Sequence, residues 1–211
     1  MKHLPKFIAF WGMLVVLTGF IPNTVWARAY IPGLFKVAGG KVQNVRKSPD
    51  AASEIVGTLA LDRKSVEVVA LSEDREWGLV NSDDLSIGWV SLQGLEQVAP
   101  DPVATDFERD LYCFGGEPFW TLVSIANGGI TLSYEGETVE YKRSFAPLRA
   151  QNRGFGKQVM VAGAGNVEIT GFLMPQQCRP LEGVFGFHFD LLRRGKGAPV
   201  LLSGCCTLGE M

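Results

Sequence analysis

The sequence predicts an all-β protein, and three observations support this prediction. Short apolar runs recur along the chain, and Gly, Asp, Asn or Pro separates one run from the next. No stretch repeats apolar residues at the period of about 3.6 that marks a long amphipathic helix. Hydrophobic residues make up 46% of the 211 residues, which is enough to bury a core and excludes a chain that is disordered throughout.

The chain begins with the pattern of a secretory signal peptide. Residues 1–6 are basic, residues 7–21 carry no charge, and Ala27-Arg28-Ala29 supplies the small residues of a cleavage site. The apolar run is shorter than a membrane-spanning helix requires. We therefore predict that residues 1–29 are removed on export to the periplasm or another extracytoplasmic space, with no membrane span afterwards. A retained signal anchor is the alternative.

Cleavage changes the net charge of the chain and the number of its histidines. The mature chain loses three cations, Lys2, Lys6 and Arg28, so 17 Lys and Arg remain against 22 Asp and Glu, a net charge of −5. Such a chain lacks the cation excess that binding to a nucleic-acid backbone requires. His188 is then its one histidine, which excludes a histidine-based metal site or a two-histidine catalytic centre. We predict no metal and no cofactor.

The four cysteines, Cys113, Cys178, Cys205 and Cys206, predict disulfides. Their spacing lacks the Cys-x-x-Cys pairs of zinc sites, and an exported chain favours oxidation. Adjacent cysteines fit bridge geometry poorly, so Cys113 and Cys178 each bond to one member of the Cys205-Cys206 pair. Which member each takes stays open. In a strand, those two neighbours point to opposite faces, which places one bridge inside the domain and one outside.

Residues 99–110 form an acidic, proline-containing linker between two domains. The first domain, residues 34–98, has candidate strands at 42–45, 55–59, 65–71, 77–81 and 87–91. Five short strands in this length predict a small barrel. Apolar residues lie on both faces of the run 65–71, which predicts a central strand.

Five motifs follow one another in the first domain. They are Asn44-Val45-Arg46 with Ser48-Pro49, Ile55-Val56-Gly57-Thr58-Leu59, Val66-Glu67-Val68-Val69, Glu76-Trp77-Gly78-Leu79-Val80 and Gly88-Trp89-Val90. In this order, residues 34–98 resemble a bacterial Src-homology-3-type domain over their whole length. The resemblance implies an adaptor that binds the cell wall or a peptide.

The second domain, residues 111–211, is predicted to be an antiparallel barrel or sandwich. Asn127-Gly128 between the apolar runs 120–126 and 129–134 is a strong hairpin signal, and a third strand follows at 138–144. Later candidate strands lie at 158–162, 167–173, 184–192 and 200–204. In the run 184–192, the odd-numbered residues from Phe185 to Leu191 are apolar and lie on one face.

Two motifs mark the second domain. Cys113-x-Gly115-x-Glu117-Pro118-Phe119-Trp120 stands at its start and Ser203-Gly204-Cys205-Cys206 near its end. With these motifs it resembles an uncharacterised family of bacterial envelope β-domains. Cys178-Arg179-Pro180-Leu181 departs from the polar Asp-Gly-Met-like stretch of that family. The resemblance implies a fold and an envelope location, and no chemistry.

Five residues are candidate ligand contacts. The indoles of Trp77 and Trp89 can cover a sugar ring or a peptide, and Arg46 can contact a carboxylate. The Glu117 carboxylate beside the indole of Trp120 can hold a cationic or sugar ligand. Each residue has a structural alternative, because aromatic clusters usually fill a core, a lone carboxylate often caps backbone donors, and a surface arginine is usually solvated.

Two functions are consistent with these observations. The first is a non-catalytic exported envelope protein whose N-terminal barrel binds peptidoglycan or an envelope peptide or protein. The alternative is an enzyme or inhibitor with its site in the second domain, targeted by the first. No catalytic residue is assigned, because a Cys113 thiolate with His188 as its base requires a cysteine that is not bridged.

Overall fold

The computed structural model describes residues 32–98, 110–125, 129–150, 156–195 and 197–208. These residues form an all-β structure of antiparallel sheets, which confirms the predicted fold class. Within these ranges, the helical residues are a 3₁₀ turn at Leu92–Gly94, and no helix has the length and hydropathy to cross a membrane. The predicted signal peptide, residues 99–109 of the predicted linker and the Asn127-Gly128 turn lie outside the described residues.

Residues 33–97, here called the front unit, form eight short strands in two sheets. Their bounds are β1 Gly33–Val37, β2 Gln43–Arg46, β3 Ile55–Leu59, β4 Val66–Val68, β5 Ala70–Leu71, β6 Trp77–Asn81, β7 Ile87–Ser91 and β8 Leu95–Gln97. One sheet has the order β4-β1-β8 and the other β3-β2-β7-β6-β5. Apolar side chains from both sheets share one core, formed by Val45, Leu59, Val66, Val68, Val80, Val90 and Leu95.

Residues 65–71 are not the central strand that their pattern predicted. The run breaks at Val69 into β4, an edge of the three-stranded sheet, and β5, an edge of the five-stranded sheet. Val66 and Val68 face the front core, whereas Val69 packs against an apolar residue from the second half of the chain. Both faces are apolar because they meet two different partners, and not because the strand lies between two layers.

Residues 111–208 are here called the barrel, and their described part forms nine strands. Their bounds are β9 Leu111–Gly115, β10 Trp120–Ser124, β11 Ile130–Tyr134, β12 Glu137–Arg143, β13 Leu148–Arg149, β14 Gln158–Ala164, β15 Val167–Met174, β16 Phe187–Arg194 and β17 Val200–Leu208. Successive strands pair from β9 to β12 and from β14 to β17. Pairing of β12 with β14 and of β17 with β9 closes an eight-stranded ring, and the short β13 lies beside β14. The closing pairs decide between the predicted barrel and sandwich.

Alternate residues of each strand fill the barrel with apolar side chains. Phe187, Phe189 and Leu191 of β16 are fully buried, as their alternation predicted, and belong to one cluster with Trp120 and Met160. A barrel of eight strands is just wide enough for side chains to fill its interior. The described interior is therefore a packed core.

Two disulfides lie on opposite faces of β17. Cys113 bonds to Cys206 inside the barrel, and Cys178 bonds to Cys205 on its outer face. The predicted disulfides are confirmed, and the pairing is decided because neighbouring strands β9 and β17 set Cys113 opposite Cys206. In the chain-entropy model, separations of 93 and 27 residues stabilise the fold by about 4.7 and about 3.6 kcal/mol.

The Cys178–Cys205 disulfide anchors a hairpin, residues 178–186, to the outer face of the barrel. Two backbone hydrogen bonds between Cys178 and Phe185, of 2.8 and 2.9 Å, close the base of this hairpin. The Phe185 ring packs edge-on against Phe114 of β9, with ring centroids 4.9 Å apart. The hairpin is thus joined to the barrel covalently and by packing.

The front unit docks on this hairpin. The side-chain amide of Asn81 in β6 exchanges two hydrogen bonds of 2.8 Å with the backbone of Val184. The Val184 side chain is buried among apolar side chains of the front unit. Glu67 accepts hydrogen bonds from the backbone N–H groups of Gly186, at 3.0 Å, and Leu208, at 3.1 Å. Polar and apolar contacts together join the front unit to the barrel.

Candidate functional site

The outer face of the five-stranded sheet carries a group of aromatic and charged side chains. Trp77 and Leu79 in β6, and Trp89 in β7, alternate with inward-facing residues such as Val80, so they point away from the front core. Arg46 in β2 lies on the same face, because it pairs with Trp89. Leu79 is buried, under apolar side chains that include one from the barrel. We call Arg46, Trp77 and Trp89 the aromatic face.

Strand pairing brings these residues together. Trp89 lies directly opposite Leu79 on one side and Arg46 on the other. Directly opposed residues have Cβ atoms about 4.5–5.5 Å apart. Trp77 pairs with Ser91, so it is the diagonal neighbour of Trp89. The Cα atoms of such diagonal neighbours are about 7–8 Å apart. Both indoles are half-buried, which leaves part of each ring accessible. Three residues that the sequence singled out separately therefore form one surface.

Charged groups lie at both sides of the aromatic face. Arg46 Nη1 donates a hydrogen bond of 2.6 Å to the carbonyl oxygen of Ser53, which orients the guanidinium and leaves other N–H donors for a ligand. On the side of Trp77, the Ser72 hydroxyl donates to the Asp74 carboxylate. This bond and a backbone N–H of the same turn hold the pKa of Asp74 below its usual range. Arg46 and the turn before Trp77 thus carry opposite charges.

Glu117 and Trp120 do not belong to this surface. Trp120 is only 2% exposed and lies in the barrel interior, with its ring centroid 6.0 Å from that of Phe189. Its burial corrects the prediction of a ligand contact through Trp120. Glu117 is exposed in the turn between β9 and β10, and no described contact joins it to the aromatic face.

In the described part of the barrel, Cys113 and His188 do not form the nucleophile–base pair that the sequence offered. Cys113 is in a disulfide inside the barrel, which excludes it as a thiolate partner of His188. On the outer face, Asp190 accepts a hydrogen bond from the Ser203 hydroxyl and lies 3.3 Å from His188 Nε2. The carboxylate stands between serine and imidazole, so the imidazole is not placed to deprotonate the serine. Among the described residues, no group of three metal-ligating side chains is close enough to hold an ion.

A cleft of about 600 Å³ lies where the front unit meets the barrel, and we call it the junction cleft. The connection between β3 and β4 contributes Arg63 and Lys64, and the β6–β7 turn contributes Leu85. The barrel side includes Phe185 and Leu208. The cleft could not be predicted from the sequence, because its walls come from segments far apart in the chain. The adjacent cations Arg63 and Lys64 are the one local signal.

Comparison of the chain with known protein families, characterised proteins and solved structures finds no match. The resemblances to a Src-homology-3-type domain and to an envelope β-domain therefore stay predictions from their motifs. Function is inferred from the geometry of the aromatic face and the junction cleft.

Proposed function

We propose that this protein is exported and binds peptidoglycan or an envelope peptide, without catalysis, through the aromatic face. The observation that carries the proposal is the convergence of Arg46, Trp77 and Trp89 on one surface of the front unit. An indole offers a large apolar contact area at a small entropic cost, and an arginine beside it binds carboxylates.

The chemistry of peptidoglycan suits this surface. Its sugar rings present flat apolar faces that stack on indoles, and its short peptides carry both carboxylates and amines. Arg46 beside Trp89 matches the carboxylates, and the ionised Asp74 in the turn before Trp77 matches the amines. A nucleic acid does not have this combination of groups, because its backbone carries negative charge alone and offers no cation to Asp74.

Export is supported by two independent features. The N-terminal residues have the order of a signal peptide. Both pairs of cysteines in the barrel are oxidised, and disulfides form and persist chiefly outside the cytosol. The proposal places the binding surface in the same compartment as the cell wall.

The decisive experiment measures retention of the mature oxidised chain on purified peptidoglycan. We expect Trp77→Ala and Trp89→Ala each to weaken retention by about tenfold or more, since a well-placed aromatic residue often carries most of the energy of an interface. Phe119→Ala is the matched control, because Phe119 is an aromatic residue that is 84% exposed in the turn between β9 and β10 of the barrel. Retention by the control should equal that of the unmodified chain.

Near-ultraviolet circular dichroism of each variant separates lost binding from lost structure. A folded Trp77→Ala variant that is retained as well as the unmodified chain would remove the aromatic face as the site. Absence of retention of the unmodified chain, together with no binding of soluble wall peptides, would overturn the proposed function itself.

A further inference from the structure

The junction cleft combines charges of both signs with an apolar floor. Its lining includes the cations Arg63 and Lys64 and the anions Asp62, Glu67 and Asp83. Leucine and phenylalanine side chains from Leu85, Phe185 and Leu208 supply the apolar part. The volume of about 600 Å³ falls in the range of sites that hold small organic ligands. The cleft therefore has the size and the chemistry of a ligand site.

Structural contacts already use several of these charges. Glu67 accepts the two backbone N–H groups of Gly186 and Leu208 that join the front unit to the barrel. Asp83 accepts a hydrogen bond of 2.6 Å from Arg63 Nη1 and one of 2.7 Å from the backbone N–H of Ala60. These two carboxylates serve the fold.

The remaining charges are available to a ligand. Lys64 and Asp62 are exposed, and no ion pair or hydrogen bond ties either side chain to another residue in the described part of the chain. Arg63 uses Nε for the Ser65 carbonyl oxygen and one Nη1 hydrogen for Asp83, so Nη2 stays free of these bonds. Two cationic groups next to one another can receive a carboxylate, and Asp62 beside them can receive an N–H or ammonium group.

We propose that the junction cleft is a second binding site, for the C-terminal end of a short peptide with an apolar last residue. The peptide's α-carboxylate lies at Lys64 and Arg63, its last side chain lies against Leu85 and Phe185, and its backbone N–H groups face Asp62. Three acidic side chains in the lining disfavour a phosphate dianion. This site is separate from the aromatic face, because neither Arg46 nor either indole lines the cleft.

The test uses the tripeptide Gly-Gly-Leu and its C-terminal amide as probes, titrated into the mature oxidised chain by calorimetry or NMR at low salt. We expect saturable binding of the free acid, and binding of the amide at least about tenfold weaker, because a charge-assisted hydrogen bond is lost. No saturable binding of the acid up to about 10 mM, or equal affinity of acid and amide, would overturn the site.

Charge variants then locate the site. Lys64→Gln should weaken binding of the acid about two- to fivefold, as expected for a solvent-exposed charge. Asp62→Asn should weaken it by a similar factor, because the peptide N–H groups lose an ionised acceptor. Lys41→Gln is the matched control, since Lys41 is an exposed lysine of the front unit that does not line the cleft. An affinity for Lys64→Gln equal to that of the control would place the peptide elsewhere.

Failure of this site is distinguishable from failure of the proposed function. Trp77→Ala should leave the affinity for Gly-Gly-Leu unchanged, although it weakens retention on peptidoglycan. Loss of tripeptide binding in folded Trp77→Ala would show that the probe occupies the aromatic face, and would remove the junction cleft as a separate site.

Discussion

A glycine and a tryptophan of one motif determine each other's place in the barrel. A Cβ atom on Gly115 would lie 2.1 Å from Trp120 Nε1 and 2.7 Å from the carbonyl oxygen of Ser203. Neither distance is possible for real atoms, so Trp120 can enter the interior only beside a glycine. At the next residue, Gly116, a Cβ would meet nothing within 4 Å. Two adjacent glycines therefore differ completely in the space around them.

We expect Gly115→Ala to lower the free energy of unfolding by about 1–3 kcal/mol, because the added methyl group overpacks the core. Gly116→Ala is the matched control and should change it by less than about 0.5 kcal/mol. Urea denaturation of the oxidised proteins, followed by tryptophan fluorescence, measures both. Equal stabilities of the two variants would show that the indole can move aside without cost.

At the scale of elements, the β5–β6 and β6–β7 hairpins have turns of the same construction. Ser72 and Ser82 open the turns, and each hydroxyl donates to the aspartate two residues on, Asp74 or Asp84. The residue after each aspartate adopts the left-handed conformation, with φ of 62° and 64°. Bonds from the serine hydroxyl and from backbone N–H groups lower the pKa of both aspartates. The turns are therefore most stable with both carboxylates ionised.

The stability of the front hairpins should depend on pH in the acid range. A carboxyl whose pKa is lower in the folded than in the unfolded chain contributes stability that is fully present above the unfolded value, about 3.8. That contribution is lost as pH falls through the folded value. We expect the urea midpoint to fall as the pH decreases below about 4. The double variant Asp74→Asn/Asp84→Asn should show a smaller dependence in the same titration.

Asp62→Asn provides the control for that titration, because Asp62 is an exposed carboxyl outside both turns. The urea midpoint of this variant should change with pH as that of the unmodified chain does. If the double variant retained the full acid dependence, other carboxyls would account for it and the two turns would not.

At the scale of the whole molecule, Glu67 joins segments that are far apart in the chain. Its two carboxylate oxygens accept hydrogen bonds from the backbone N–H groups of Gly186 and Leu208. These donors lie 119 and 141 positions further along the chain. Gly186 permits this approach, because a Cβ there would lie 2.4 Å from Pro32 Cγ and 3.0 Å from Glu67 Oε1. The contact between the front unit and the barrel therefore depends on the identity of both residues.

We expect Glu67→Gln to lower the free energy of unfolding by about 1–3 kcal/mol, because the amide nitrogen faces a backbone N–H and leaves that donor without an acceptor. Glu96→Gln is the control, since Glu96 is 62% exposed and its pair with Lys36 is a surface ion pair worth little. Urea denaturation compares the two variants. A Glu67→Gln variant as stable as the control would show that water replaces the lost acceptor.

Strand patterning in the sequence predicted the all-β class and the inward face of β16. These are local properties, because alternation and turn residues act between near neighbours. The same patterning missed β1, β8, β9 and β13, which are short and lack a clear alternation, and it misplaced residues 65–71 in the sheet. It singled out Arg46, Trp77 and Trp89 but did not show that they lie side by side.

The sequence by itself determined the all-β class, most of the segments that become strands and that the cysteines are bridged in two pairs. Only the tertiary structure decided that Cys113 pairs with Cys206, that Trp120 is buried, that the barrel closes, and that a cleft opens beside Glu67. Each of these depends on the register between strands that are distant in the chain. Register is set by closure of the sheets and packing of the whole core, and no local run of residues specifies it.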